Sequence, residues 1–171
     1  WTAKSQWIVG QFEEWADTYG GWLSTYMDNV VIRVPFMISI AVGSLARYYR
    51  EFPDEKVKNM ILRAVDDMLE NCVTEYGYFY YKELPSLSKV GNSPLILEAL
   101  AIAYELTGEV KYIEAGKKTF ASAVQSSLTQ SSSAKQMTED AVIVGNAGTK
   151  RFAQIFIPMA VYYKALTECN I

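Results

Sequence analysis

Hydrophobic positions along this chain follow two kinds of helical pattern that take turns. In the first kind, apolar residues form one stripe at three- and four-residue spacing, as in residues 4–27, 54–72 and 110–127. In the second kind, they occupy nearly every position, as in residues 35–50, 94–106 and 149–168. A striped helix lies at the surface of a domain, whereas a helix that is apolar all round is buried on most sides. The pattern therefore predicts three outer and three inner helices in alternation.

Glycine and proline positions mark several boundaries of these helices. Gly20 and Gly21 interrupt the first helix, and Pro35 suits the first turn of the second. Asn92 and Ser93 stand before Pro94, where they are typical of an N-cap. We further expect a kink where Pro158 falls inside the last helix. The alternation Tyr78-Phe79-Tyr80 in the preceding connector indicates a short strand or hairpin.

A five-residue pattern recurs in the three inner helices. It reads Leu45-Ala46-x-x-Tyr49, Leu100-Ala101-x-x-Tyr104 and Met159-Ala160-x-x-Tyr163, with steps of 55 and 59 residues. Links from an inner to an outer helix are short, whereas each link from an outer to an inner helix is long. All long links therefore meet at one end of the bundle. These features predict an all-α fold, an array of about three αα-hairpins with its long loops at one end.

The segment at residues 100–115 carries a resemblance to a known superfamily. It reads Leu-Ala-x-Ala-Tyr-Glu-Leu-Thr-Gly-Glu-x-Lys-Tyr-x-Glu-Ala. This resembles the joint between inner and outer helices in the (α/α)-toroid carbohydrate-active proteins, which include six-hairpin glycosidases, sugar epimerases and polysaccharide lyases. The resemblance covers about residues 35–127 and the last helix. It implies half of a toroid, completed by an upstream domain or in a homodimer. The length of 171 residues predicts one domain, 1–171. Because residue 1 is Trp and not Met, we expect this domain to be the C-terminal fragment of a longer protein.

Composition and charge exclude several kinds of partner and site. The net charge of −3, without a long basic run, argues against a nucleic-acid partner, and no apolar run is long enough to span a membrane. The chain has no histidine, which excludes triads and zinc sites built on that residue. No metal or cofactor motif is present in the sequence, so we expect neither group. The two cysteines are better interpreted as buried thiols than as a disulfide.

The resemblance implies a substrate cleft at the long-loop end, above the N-termini of the inner helices. Helix N-termini offer free N–H groups and partial positive charge, which favours the same place. The candidate catalytic residues there are Tyr76, Tyr78, Glu83 and Asp140, and the candidate substrate-binding residues are Arg33, Tyr80, Asn92 and Arg151. Carboxylates from different loops suit glycoside hydrolysis. A tyrosine with an arginine that neutralises a uronate suits a lyase.

Two classes of function remain open from the sequence. The leading hypothesis is a carbohydrate-active protein, with a hydrolase or lyase ahead of an epimerase, in which this fragment alone is inactive. The tyrosines of residues 76–81 would then bind sugar rings, although they could instead attach a loop to the bundle. The alternative is a non-catalytic α-hairpin scaffold for protein interaction or for support of a catalytic domain. Charged side chains along the inner face would favour the scaffold.

Overall fold

Six helices make up most of the part of the chain that the structure, a computed structural model, describes, which is residues 1–19, 24–25, 31–83, 93–128 and 148–169. The helices are α1 (Thr2–Tyr19), α2 (Pro35–Glu51), α3 (Glu55–Asn71), α4 (Ile96–Thr107), α5 (Lys111–Leu128) and α6 (Gly148–Glu168). Two short strands, β1 (Ser24–Thr25) and β2 (Val31–Ile32), pair antiparallel between α1 and α2. The all-α class predicted from the hydrophobic pattern is confirmed.

Helix α4 lies at the centre of the bundle, with α2 and α6 on either side and α3 and α5 behind it. Its residues from Ile96 to Ala103 are buried except Glu98, which is half-buried. Helix α3 buries one stripe, and α1 packs against it. The predicted alternation of inner helices (α2, α4, α6) and outer helices (α1, α3, α5) is therefore the observed order of packing.

Most helix ends follow the local signals of the sequence. Pro35 is the first residue of α2, and the Asp54 carboxylate caps α3 by accepting a hydrogen bond from the Lys56 N–H at 2.9 Å. Gly108 ends α4 with φ +74°, a left-handed conformation that costs glycine little, and its N–H donates to the Tyr104 carbonyl. Pro158 lies inside α6.

Two local predictions are wrong. The first helix was expected to reach residue 27, but α1 ends at Tyr19 before the two glycines, and Ser24 and Thr25 form a strand. Two successive glycines make continuation of a helix costly, which accounts for the early end. The predicted cap at Ser93 is also absent, because α4 begins at Ile96 without a side-chain cap. The Ser93 carbonyl instead accepts the Ile96 N–H within a turn.

The hydroxyl of Ser39, a buried residue of α2, supports the start of α4 instead. It donates to the Leu95 carbonyl at 2.6 Å and accepts from the Ala99 N–H at 3.2 Å. These two groups would normally bond each other in the first turn of a helix, so the hydroxyl is inserted between them. The bridge fixes the axial position of α4 relative to α2. It also gives both backbone groups a hydrogen-bond partner inside the core.

The three inner helices run parallel. Ser39 contacts the beginning of α4, and near the other end Glu105 of α4 pairs with Arg50 of α2 at 3.5 Å and with Lys164 of α6 at 3.9 Å. The N-termini of the inner helices therefore share one end of the bundle, which we call the rim. None of the helices in the described part of the chain has an apolar stretch that could cross a membrane.

Candidate functional site

Arg33, two residues before α2, joins three parts of the rim. Its Nε and Nη2 donate to Oδ2 and Oδ1 of Asp67 near the end of α3, at 2.6 and 2.8 Å. Its Nη1 donates to both carboxylate oxygens of Glu83 at 2.9 and 2.8 Å. The Asn71 amide also donates to the Asp67 carboxylate at 3.1 Å. We call Arg33, Asp67, Asn71 and Glu83 the rim network.

The rim network is shielded from solvent on one side and open on the other. The side chains of Arg33 and Asp67 are 19% and 13% exposed, whereas that of Glu83 is 36% exposed. Hydrogen bonding to Asp67 is the largest effect that raises the pKa of Arg33 above its ordinary value, and Glu83 adds to it against the opposing effect of burial. The guanidinium is therefore a permanent cation with its donors directed at two carboxylates.

The loop that follows α3 forms a narrow hairpin over residues 72–80. The Thr74 N–H donates to the Tyr78 carbonyl, the Tyr80 N–H donates to the Cys72 carbonyl, and Val73 bridges Phe79. Gly77 makes the reversal with φ +75°. The predicted short hairpin around Tyr78-Phe79-Tyr80 is therefore present.

Three contacts attach this hairpin to the helices. Phe79 is fully buried in the core, and Lys118 of α5 donates to the Tyr76 carbonyl at 2.6 Å. At the end of the loop, the Glu83 N–H donates to the Arg33 carbonyl at 2.9 Å. The anchor is therefore a phenylalanine with two polar contacts, while Tyr78 and Tyr80 are half-buried on the bundle surface.

A stacked pair of aromatic rings, one half-buried and one exposed, lies beside the rim network. Tyr81 is 45% exposed and stacks on Phe36 of α2, with ring centroids 5.7 Å apart and planes at 25°. Lys82 Nζ lies 5.6 Å from the centroid of the Tyr81 ring. Tyr76, at the tip of the hairpin, is 67% exposed. We call the stacked pair Phe36 and Tyr81 the rim aromatics.

The structure brings together some of the candidate residues from the sequence. Arg33 and Glu83 are in direct contact, and Tyr76, Tyr78 and Tyr80 lie on the hairpin that ends at Glu83. Asn92 and Asp140 lie outside the described residues. Arg151 belongs to α6, but its side chain is outside the described part. The roles assigned to all eight residues remain predictions.

Sequence reasoning missed Asp67 and Phe36, and it included Tyr81 only as a member of the tyrosine group at residues 76–81, not among the candidate site residues. Asp67 carried a usable signal, because a carboxylate near the C-terminus of a helix is disfavoured by the helix dipole and calls for a cationic partner. Phe36 had no such signal, since it lies in a helix that is apolar throughout. Tyr81 differs from Tyr80 only in the face of the loop on which it lies, which the sequence alone does not specify.

The inner face of the array, formed by α2, α4 and α6 away from the outer helices, carries charges. Glu98 of α4 pairs with Arg47 of α2 at 2.7 Å, and Glu105 contacts cations on both neighbours. Gly43 makes room for the first pair, since a Cβ there would lie 2.9 Å from Glu98 Oε1. These contacts connect the inner helices side by side.

The described residues hold no group of three or more cysteine, aspartate or glutamate side chains arranged to bind a metal ion. Comparison of the chain with protein-family models, with curated proteins and with solved structures gives no match. The assignment of function therefore depends on the chemistry of the rim and of the inner face.

Proposed function

We propose that this chain is the carbohydrate-binding helical part of a carbohydrate-active protein of the α/α-toroid kind, with hydrolase or lyase activity in the full-length protein. The observation that carries the proposal is the stack of Tyr81, which is 45% exposed, on the half-buried Phe36 at the rim. Flat aromatic faces fit the C–H surfaces of sugar rings, and phenol hydroxyls orient the polar edges.

The rim network gives this surface a rigid and charged border. Glu83 immediately follows Tyr81 and Lys82, and Arg33 holds both of its oxygens. Sugar hydroxyls at the rim would therefore meet carboxylate acceptors and the Lys82 ammonium. The donors of Arg33 are already directed at Asp67 and Glu83, so this guanidinium is engaged within the protein.

The proposal is tested by titrating the protein with neutral and acidic oligosaccharides and following amide chemical shifts. We expect shifts in residues 74–83 and near Phe36, with at least about tenfold weaker binding for Tyr81→Ala. Trp7→Ala removes an aromatic residue of α1 that is 66% exposed and should leave binding unchanged. Absence of binding by the full-length protein to both classes of oligosaccharide would refute the proposal.

A non-catalytic scaffold for protein interaction is the second candidate, and the inner-face charges favour it. Arg47–Glu98 and the contacts of Glu105 with Arg50 and Lys164 give that face alternating charge in place of a tyrosine-lined pocket. Such a face selects a partner by electrostatic complementarity. Specific, salt-sensitive binding of a protein that is lost in Arg47→Glu, with no oligosaccharide binding, would select this function.

A further inference from the structure

The surface of α2 next to the rim aromatics stays apolar for one further turn of the helix. Ile40 is 52% exposed and lies four residues after Phe36, so the two side chains are neighbours on one face of α2. Met37 is 44% exposed and lies three residues before Ile40, which widens the same surface. We call Met37 and Ile40 the aliphatic patch. Through Phe36 it is continuous with the stacked ring of Tyr81.

The polar side chains of α2 nearest to the aliphatic patch are hydrogen-bonded within the protein. Ser39 is buried, and its hydroxyl is engaged by the backbone of α4. The hydroxyl of the exposed Ser44 donates to the Ile40 carbonyl at 3.0 Å. Arg47, seven residues after Ile40, pairs with Glu98 at 2.7 Å. A sugar hydroxyl over the patch would therefore lose water and meet mainly aliphatic surface, which is unfavourable.

The two sides of the Tyr81 ring consequently differ in polarity. On the side of the loop, the Glu83 carboxylate is 36% exposed and can accept hydrogen bonds from hydroxyl groups. On the side of α2, the aliphatic patch offers only apolar atoms. A ligand that covers both sides needs hydroxyl groups along one edge and an apolar substituent along the other. An unsubstituted oligosaccharide carries hydroxyl groups on every edge, whereas an O-acylated one has both kinds of edge.

We propose that the rim binds an O-acylated sugar, with its ring stacked on Tyr81 and its acyl group on the aliphatic patch. This inference rests on the proposed carbohydrate function and specifies which class of sugar the same site takes. The ester fits because it replaces a hydroxyl donor that would find no acceptor on the patch. Burial of roughly 50 Å² of apolar surface between the acyl group and the patch corresponds to about tenfold tighter binding.

Pairs of oligosaccharides that differ only in acylation provide the test. Neutral and acidic oligosaccharides are each titrated into the full-length protein in a partly O-acetylated form and after mild alkali has removed the esters, with amide chemical shifts as the readout. We expect about tenfold tighter binding of the acetylated form, with shifts that extend from Phe36 to Ile40. Equal affinity of the two forms would overturn this inference and leave the proposed function standing. Absence of binding by both forms would refute the two together.

Variants of the aliphatic patch show whether it is the source of the preference. Ile40→Gln keeps a good helix former at an exposed position but replaces the aliphatic branches with an amide. It should reduce the preference for the acetylated form to about twofold or less, chiefly by weakening the binding of that form. Met37→Gln repeats the test at the second residue of the patch.

Val124→Gln is the matched control, because Val124 lies on α5 and is 37% exposed. It should leave the affinities for both forms unchanged. A preference for the acetylated form that persists in full in both Ile40→Gln and Met37→Gln would show that the patch does not contact the acyl group and would overturn the inference.

Discussion

Replacement of Arg33 with methionine should destabilise the fold more than the loss of any surface ion pair. Methionine keeps much of the volume of the arginine stem but removes the guanidinium donors that Asp67 and Glu83 accept from. Asp67 would be left as a mostly buried carboxylate with only the Asn71 amide as its side-chain donor. The change therefore tests whether the rim network is a structural centre.

The expected magnitude follows from exposure. Removing one partner of a buried ion pair typically costs about 3–5 kcal/mol, while exposed pairs contribute about 0–1 kcal/mol. The Asp67 side belongs to the first case, with 13% exposure, and the Glu83 side lies between the two, with 36%. We therefore expect Arg33→Met to lower the free energy of unfolding by about 3 kcal/mol.

Urea titration monitored by circular dichroism measures this change from the midpoint at constant slope. Arg63→Met is the matched control, because Arg63 pairs with Asp17 at 3.2 Å with both side chains more than half exposed. Its loss should cost no more than about 0.5 kcal/mol. The double variant Arg33→Met with Asp67→Leu should recover part of the loss, since no unpaired carboxylate remains on α3. Equal costs for Arg33→Met and Arg63→Met would refute the reasoning.

Three further changes test other parts of the core. Ser39→Ala removes the hydroxyl between Leu95 and Ala99, and we expect a loss of about 1–2 kcal/mol in urea titration, against less than about 0.5 kcal/mol for the exposed Ser44→Ala. Gly116→Ala places a Cβ 2.7 Å from Cζ of the buried Tyr162 ring, so it should cost about 1–3 kcal/mol, whereas Gly10→Ala, with open space around it, should stabilise α1 slightly. Burial raises the pKa of Cys72 to about 12, so the native thiol keeps its proton where the thiol of the unfolded chain, near 9.0, loses it. Stability should therefore fall as the pH rises from about 9 towards 12, more steeply in the parent than in Cys72→Ala, and a thiol reagent at neutral pH should label the partly exposed Cys169 before Cys72.

The period of the apolar pattern was sufficient to predict the helices and their order. Helix α4 is apolar on nearly every side because neighbours surround it, whereas α6, equally apolar in sequence, leaves Phe156, Ile157 and Tyr163 exposed. The bridge from Ser39 to α4 could not be predicted from local sequence. It depends on the relative axial position of two helices that are separated by more than 40 residues. The early end of α1 could have been predicted, because two successive glycines strongly destabilise a helix.

The sequence indicated which end of the bundle carries the rim, but it identified only some of the residues that meet there. Long loops before each inner helix placed Arg33 and Glu83 at one end, and the structure joins them at 2.8 Å. Their shared partner Asp67 comes from an outer helix that local pattern assigned only to the surface. The tyrosines of the hairpin were recognised as a group, but burial divides them, with Tyr80 against the bundle and Tyr76 and Tyr81 towards solvent. Such a division depends on the twist of the hairpin and on tertiary contacts.

Contacts near both ends hold the inner helices α2, α4 and α6 in place, and these helices support the rim. Near the N-termini the Ser39 hydroxyl sets α4 against α2, and near the C-termini Glu105 holds α2 and α6 through opposite charges. The rim network then attaches the hairpin to α2 and α3, and Phe79 fixes it to the core. Tyr81, which is 45% exposed and stacks on Phe36, therefore lies on a scaffold that leaves it little freedom to collapse onto the bundle. The proposed binding at the rim would therefore cost little conformational entropy, because an aromatic side chain on a rigid support has little freedom to lose.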